Sequence, residues 1–149
     1  IALSNSQAAY SIPFTSTGKY LITAVYSGDT NNLASTSATL KQSVEHLPAA
    51  TTTKLATSGS PTFVNQTVTF TSTTTSTDGS IPDGEIVTFF DGTTKIGTGI
   101  TANGLAAFST SSLTAKTHSI KATYAGDATF KTSSGTVKQV VTFDQSIHR

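Results

Sequence analysis

The chain has 149 residues, 36% of them hydrophobic and only 11% charged, with a formal net charge of +1. That charge, with no run of Lys or Arg interleaved with aromatics, excludes strong electrostatic attraction to nucleic acid or an anionic membrane. There is no cysteine, which excludes disulfides, thiolate nucleophiles and cysteine metal sites, and no apolar run approaches the roughly 20 residues of a spanning helix.

Threonine and serine fill the place of charge. Thr is β-branched and suits a pleated, half-wet surface, so strands with hydroxyl-bearing outer faces are expected. Ile1 opens inside a patterned segment rather than at a basic start, so the chain reads as an excerpt from a longer protein with no signal peptide in view.

In chain order, residues 1–12 turn at Ser4-Asn5-Ser6 and run on as a strand, QAAYSI. A loop follows to Lys19, with Gly18 as its flexible position. Residues 20–26 are a strand of strong β-formers, Gly28-Asp29 opens a polar loop, and 37–44 is another strand. EHLPAA at 45–50 breaks the pattern with Pro48 and reads as a linker. Beyond it the spacing predicts strands at 51–58, 64–76, 85–90, 95–97, 105–109, 118–124 and 135–143, with 144–149 as a tail. Gly59 and Pro61 end the first of these. Asp91-Gly92 and Asn103-Gly104 are favoured hairpin dipeptides, and STDGSIPDG (76–84) is a polar loop. Val68 and Phe70 alternate with Thr67, Thr69 and Thr71, the period of a half-buried strand. Seven short strands without a helical stripe predict an all-β, antiparallel sandwich, and about ninety residues for seven strands fits the immunoglobulin-like plan.

One stretch occurs twice. Ile22, Ala24, Tyr26, Gly28 and Asp29 recur 98 positions later as Ile120, Ala122, Tyr124, Gly126 and Asp127. Ala8, Ala9 and Ser11 match Ala106, Ala107 and Ser109; Thr39, Lys41, Gln42 and Val44 match Thr136, Lys138, Gln139 and Val141 after a one-residue slip. A fixed period of this size marks a tandem array. Residues 1–44 are then the last four strands of an incomplete repeat, and 51–143 a complete one.

The run GEIVTFFDGTTKIGTGITANGLAAFSTSSL, followed by HSIKATYAGDATFKTSSGTVKQVV, resembles the bacterial immunoglobulin-like (Big) repeat family, in the group that ends in a Tyr-x-Gly-Asp strand. The resemblance covers 52–143 in full and 1–44 as the back of a preceding repeat. It implies stalk modules of secreted or surface-attached bacterial proteins, often adhesin-like, that share a scaffold rather than a common site. Where such repeats carry glycine before the Thr-His pair, this chain has Ala115 and Lys116, a change expected to affect only a loop.

The residues kept between repeats should face the core. The expected core is Val68, Phe70, Val87, Phe89, Phe108, Ile120, Ala122, Tyr124, Val137, Gln139 and Val141, with Leu40, Gln42 and Val44 inward in the first repeat. An inward Gln needs partners, so Gln139 is expected to bond the backbone of the first strand. Half a sandwich at 1–44 would expose Tyr10, Ile22 and Tyr26. The missing strands come either from preceding sequence or from another chain, as in strand-complemented fibres.

Candidate sites are few. Glu45, Asp78, Asp83 and Asp127 could gather at one end of the sandwich and supply calcium with some of its six to eight oxygens; otherwise each Asp serves backbone amides in its own turn. His46, His118 and His148 lack metal-ligand spacing and read as solvated polar residues. No nucleophile elbow, phosphate loop, HExxH segment or glycosidase-like acidic pair is present, so no catalytic residue and no cofactor are expected. Lys–Asn or Thr–Gln side-chain crosslinks are disfavoured, because Lys and Asn lie in loops or on outer faces. Asn65-Gln66-Thr67 is a formal glycosylation sequon and marks an exposed turn. The sequence thus points to a non-catalytic, extracellular or cell-surface spacer whose partners are neighbouring repeats or copies of itself. The alternatives are recognition of a surface glycan or host protein through end loops, with Phe90 and Phe130 as the aromatic platform, and a fibre subunit built through the incomplete repeat.

Overall fold

The computed structural model describes residues 1–144 and 146. The chain divides into two units, Ile1–His46 and Leu47–Arg149. Among the described residues there are twelve strands and no α-helix, so no helix is long and apolar enough to cross a membrane.

The first unit holds β1 (Gly18–Ile22), β2 (Val25–Tyr26), β3 (Ser35–Thr36) and β4 (Leu40–Val44). β1 pairs antiparallel with β4, placing Tyr20 opposite Gln42 and Ile22 opposite Leu40. β2 pairs with β3, Val25 opposite Thr36. The single strand expected at 20–26 is therefore broken at Thr23-Ala24, because the two ladders are out of step by one residue. Ser37 bridges the gap: its amide donates to the Ala24 carbonyl at 2.9 Å and its hydroxyl accepts from the Ala24 amide at 2.9 Å. The strand expected after the Ser4-Asn5-Ser6 turn is absent. The turn itself forms, closed by Ser4 and Gln7, but residues 8–12 have no neighbour to ladder with. The inward set of this unit stays largely uncovered. Tyr10, Leu40 and Ile22 are exposed, as is Gln42, while Tyr26 and Val44 are half-buried.

The second unit is a sandwich of two sheets. One is ordered β10 (Leu105–Thr110), β7 (Val68–Ser76), β5 (Thr51–Thr57); the other is β6 (Thr62–Phe63), β12 (Ser133–Thr142), β11 (Thr117–Tyr124), β8 (Ile86–Asp91), β9 (Thr94–Ile100). All pairings are antiparallel except β6 with β12, where Thr62 and Phe63 run parallel to Val141 and Thr142. The chain leaves the first sheet after Thr57, turns through Gly59 and Pro61, and joins the second as β6, a strand the sequence pattern does not separate from β7. The expected linker 45–50 is not free along its length. Ala49 is 8% exposed and forms a parallel bridge with Phe130, with its amide donating to the Thr129 carbonyl at 2.7 Å.

The core lies between the sheets. Val68, Phe70, Val87, Phe89, Ile120, Ala122, Tyr124, Gln139 and Val141 are buried; Phe108 and Val137 are half-buried and pack on the same cluster. The Phe89 and Phe108 rings stack with centroids 5.6 Å apart. Two glycines permit close approach. A Cβ at Gly97 would run into the Phe108 ring, and one at Gly135 would sit 2.5 Å from the Thr53 carbonyl oxygen.

The hydroxyl groups are not confined to the outer faces. Thr53, Thr62, Ser72, Thr74 and Thr101 are buried, and Thr53 and Thr62 belong to a seam joining β5 and β6 to β12 across the sandwich edge. Ser133 Oγ lies 2.7 Å from Thr53 Oγ1 and 2.7 Å from Thr51 Oγ1. Further along, Thr57 Oγ1 donates to Gln139 Oε1 at 2.5 Å, and Gln139 Nε2 donates to Thr62 Oγ1 and to the Val140 carbonyl, each at 3.0 Å. Gln139 thus meets the side chains of the first strands rather than the backbone expected from sequence. An amide with no exposure to solvent is costly unless paired, and here both ends are paired. Gln139→Leu and Thr57→Val should each destabilise the second unit by about 1–3 kcal/mol, through the partner left unsatisfied. The double variant should cost clearly less than the sum, as read by urea unfolding.

Candidate functional site

The repeated Tyr-x-Gly-Asp stretch builds the same tight loop in both units. Gly28 and Gly126 adopt φ of 81° and 75°, and a Cβ at either would collide with the backbone across the loop. The following Asp closes the turn. Asp29 Oδ1 accepts from the Asn31 and Asn32 amides, both at 2.8 Å; Asp127 Oδ1 accepts from the Thr129 and Phe130 amides at 2.6 and 2.7 Å. The tyrosines differ. Tyr26 donates its hydroxyl to Asp29 Oδ2 at 2.8 Å. That bond, then the Asn31 amide and the Asn32 side chain, holds the Asp29 carboxyl below its usual value, and raises the Tyr26 phenol in turn. Tyr124 is fully buried, and its hydroxyl is the one buried side-chain polar atom without a hydrogen-bond partner among the described residues. Burial, with smaller contributions from Glu85 and Asp127, pushes that phenol up.

The three acidic residues of the second unit considered for calcium, Asp78, Asp83 and Asp127, do not form a group that could hold a metal ion. Glu45 belongs to the first unit and the other three to the second. Asp127 serves its own turn, and Asp83 Oδ1 accepts from the Asn103 amide at 2.7 Å, tying the 76–84 loop to the neighbouring hairpin. In that loop the Ser76 hydroxyl accepts from the Asp78 amide at 3.2 Å, and Ile81 is buried in the core. Among the described residues no group of three or more His, Cys, Asp or Glu could hold a metal ion. A cleft of about 410 Å³ remains between this loop and the Asn103-Gly104 turn; apart from Asp83 it is lined by neutral side chains and backbone.

The aromatic platform changes. Phe130 is 4% exposed, so it is a core residue rather than a binding group: the Asp127 turn carries it inward beside Ala49. Phe90 is half-buried under Lys121, whose Nζ lies 5.1 Å from the ring centroid. The aromatics that do face solvent in the second unit are Phe63 and Phe143, which line one concave patch with Val141 and Ala115.

His118, read from sequence as a solvated residue, is buried at 3% exposure. Its Nε2 donates to the Thr114 carbonyl at 2.8 Å, and its Nδ1 lies 2.7 Å from Asp91 Oδ2. Lys116 Nζ is 3.9 Å from the same carboxylate oxygen. The loop that carries Ala115 and Lys116 thus offers the histidine its Thr114 carbonyl. The alternation along β11 offered the signal, since His118 shares the parity of Ile120, Ala122 and Tyr124. His46 is exposed, and His148 lies outside the described residues.

The sequence profile of the bacterial Ig-like domain (group 3) matches residues 53–142. The chain belongs to that family. No curated protein matches the sequence. Among solved structures, the fibronectin(III)-like modules of CbhA from Clostridium thermocellum superpose with a TM-score of 0.55 at 20% identity, over 93% of this chain and 70% of that one, a likeness of fold alone. Bacterial Ig-like domains are typically non-catalytic and commonly extracellular, and the sandwich described above has the architecture of a structural module.

In this Ig-like unit the His118–Asp91 pair is a second enclosed polar contact whose loss should be felt. His118→Phe should cost about 2–3 kcal/mol in chemical denaturation, because the Thr114 carbonyl loses its buried donor and the Asp91 carboxylate its imidazole partner. For Asp29, whose folded titration is depressed, the turn's contribution is present above the unfolded-state range and fades as pH falls through the folded one. Tyr26→Phe should move the Asp29 midpoint upward in an NMR titration.

Proposed function

We propose that the chain is a non-catalytic, load-bearing spacer from a tandem array of Ig-like modules in a bacterial surface or secreted protein. The observation that carries this reading is the pairing of the unit's two end segments. β6 runs parallel to β12 at one end, and Ala49 pairs parallel with Phe130 at the other. Tension applied through the N- and C-terminal sides of the second unit pulls parallel neighbours in opposite directions. Their hydrogen bonds are then loaded together in shear, rather than opened one after another as in an antiparallel hairpin pulled from its ends. The Val64 amide to Thr142 carbonyl bond at 2.9 Å and the Ser60 hydroxyl on the Val140 amide at 3.0 Å lie in the same seam. No reactive group is needed for this role. The turn carboxylates and the buried histidine all serve structure.

A second reading, recognition of a glycan or protein at one end of the sandwich, is favoured by the exposed Phe63 and Phe143 on one patch. Single-molecule pulling separates the two. A load-bearing unit should resist and then rupture in one step, releasing roughly 300 Å of contour length at 3.3–3.6 Å per residue. Gln139→Leu should lower the rupture force. Gradual extension without a peak, in a protein whose Phe63→Ala variant loses binding to a glycan panel, would move the assignment to the second reading.

A further inference from the structure

The outer face of the five-stranded sheet carries charge of one sign. Along β11 the residues between the core positions, Ser119, Lys121 and Thr123, point away from the core, and the registers fix their neighbours. On β12, Lys138 lies opposite Ser119, Thr136 opposite Lys121 and Ser134 opposite Thr123. On β8, Phe90 lies opposite Lys121 and Thr88 opposite Thr123. On β9, Lys95 lies opposite Phe90 and Thr98 opposite Thr88. Directly opposed residues of an antiparallel pair share a face. Lys138, Lys121 and Lys95 therefore form a row across four adjacent strands, spanning about 14 Å, with a belt of hydroxyls beside it. Lys95 and Lys138 are exposed, and Lys121 Nζ lies 5.1 Å from the Phe90 centroid. The carboxylates of the second unit stand elsewhere. Asp78, Asp83 and Asp127 are in loops, Glu85 and Asp144 lie outside the strands, and Asp91 is held against His118. The ion pairs among the described residues join Asp91 to Lys116 and His118, and none reaches the row.

We infer that this face binds a carboxylate-bearing polysaccharide, laid across the strands along Lys138, Lys121 and Lys95. Charge complementarity sets the sign of the partner: with a net charge of only +1, three lysines share one face that holds no carboxylate. The hydroxyl belt sets its kind. Thr88, Thr98, Thr123 and Ser134 offer donors and acceptors to a chain that is itself rich in hydroxyls. A nucleic acid is the poorer fit, because stacking its bases needs open aromatic faces, and the one aromatic in the row, Phe90, is covered by Lys121. A lipid surface is poorer too, since the exposed apolar pair on this face, Ile86 and Ile100, stands beyond the hydroxyl belt from the lysines. The face is separate from the Phe63 and Phe143 patch, so a spacer role and a patch at the end of the sandwich can each stand or fall without it.

The test titrates the full chain with polygalacturonate in a calorimeter, with dextran as the neutral control. Polygalacturonate should bind and dextran should not, and binding should fade as salt approaches about 1 M, where charges are screened beyond about 3 Å. K95Q/K138Q, which keeps the Lys121–Phe90 contact, should weaken binding about 5-fold with an unchanged melting midpoint. K54Q/K131Q removes the same charge from the other sheet and from a loop, and should bind as the parent does. Phe63→Ala should also bind as the parent does, which separates this face from the end patch. Absence of polygalacturonate binding overturns the proposal, and so does an equal loss in the two lysine pairs, which reduces the effect to net charge. Tighter binding of single-stranded DNA or phosphatidylglycerol vesicles through Lys95 and Lys138 gives the row to another partner. Self-association that K95Q/K138Q dissolves gives it to a second copy of the chain.

Discussion

The side-chain amide of Gln139 sets the condition that the rest of the second unit meets. It is wholly enclosed, on the last strand, and its oxygen and nitrogen are satisfied by Thr57 and Thr62 from the beginning of the module. A buried primary amide left without partners costs several kcal/mol relative to water, comparable to a sizeable part of a small domain's net stability. The last strand is therefore secure only when the first has been laid beside it. The same two threonines straddle the point where the chain crosses from one sheet to the other, so one side chain fixes both the closure of the sandwich and the place of the crossing.

Much of this was legible before any coordinates. Turn dipeptides and period-two alternation located seven strands of the second unit to within a few residues, because backbone punctuation by Gly, Asn and Asp acts locally. The parity of residues shared between the two Tyr-x-Gly-Asp stretches marked which face turns inward. What escaped the sequence depends on partners far away along the chain. His118 reads as an ordinary polar strand opener until Asp91 and Thr114 are placed beside it. Phe130 reads as a loop aromatic until the Asp127 turn folds it under. Residues 8–12 are the converse case: nearly the same residues as 106–110 form a strand in one place and none in the other, because a strand exists only with a neighbour to pair with. The threonines hid a division that composition does not show, between those facing water and those sealed in the seam.

The two units also separate local from non-local stability. Closely similar turn geometry at Asn5 and Asn103, and at Gly28 and Gly126, occurs with and without covering strands, so these loops are shaped chiefly by their own residues. Burial follows a different rule. Ile22 and Ile120 occupy the same register position, yet one keeps 38% of its surface in solvent and the other none. Fully burying such a side chain contributes about 1.5–3 kcal/mol, so the cohesion of the fold resides in the covering strands rather than in the turns that shape it.

The absence of cysteine sharpens what the hydroxyl seam accomplishes. A single disulfide between first and last strands would contribute about 2–4 kcal/mol, but only in an oxidising compartment. A net stabilisation of about 1 kcal/mol per hydrogen bond means that several are needed to equal it, and the seam provides several: Thr51 and Thr53 on Ser133, Thr57 and Thr62 on Gln139, and Ser60 on the Val140 amide. Distributed in this way, the staple does not depend on redox conditions. Short hydroxyls also hold little side-chain entropy, so ordering them costs less than ordering the long side chains of an ion-pair network. A chain with few charges and many threonines can thus close its two sheets firmly, because the residue type that favours the strand also supplies the bond between strands.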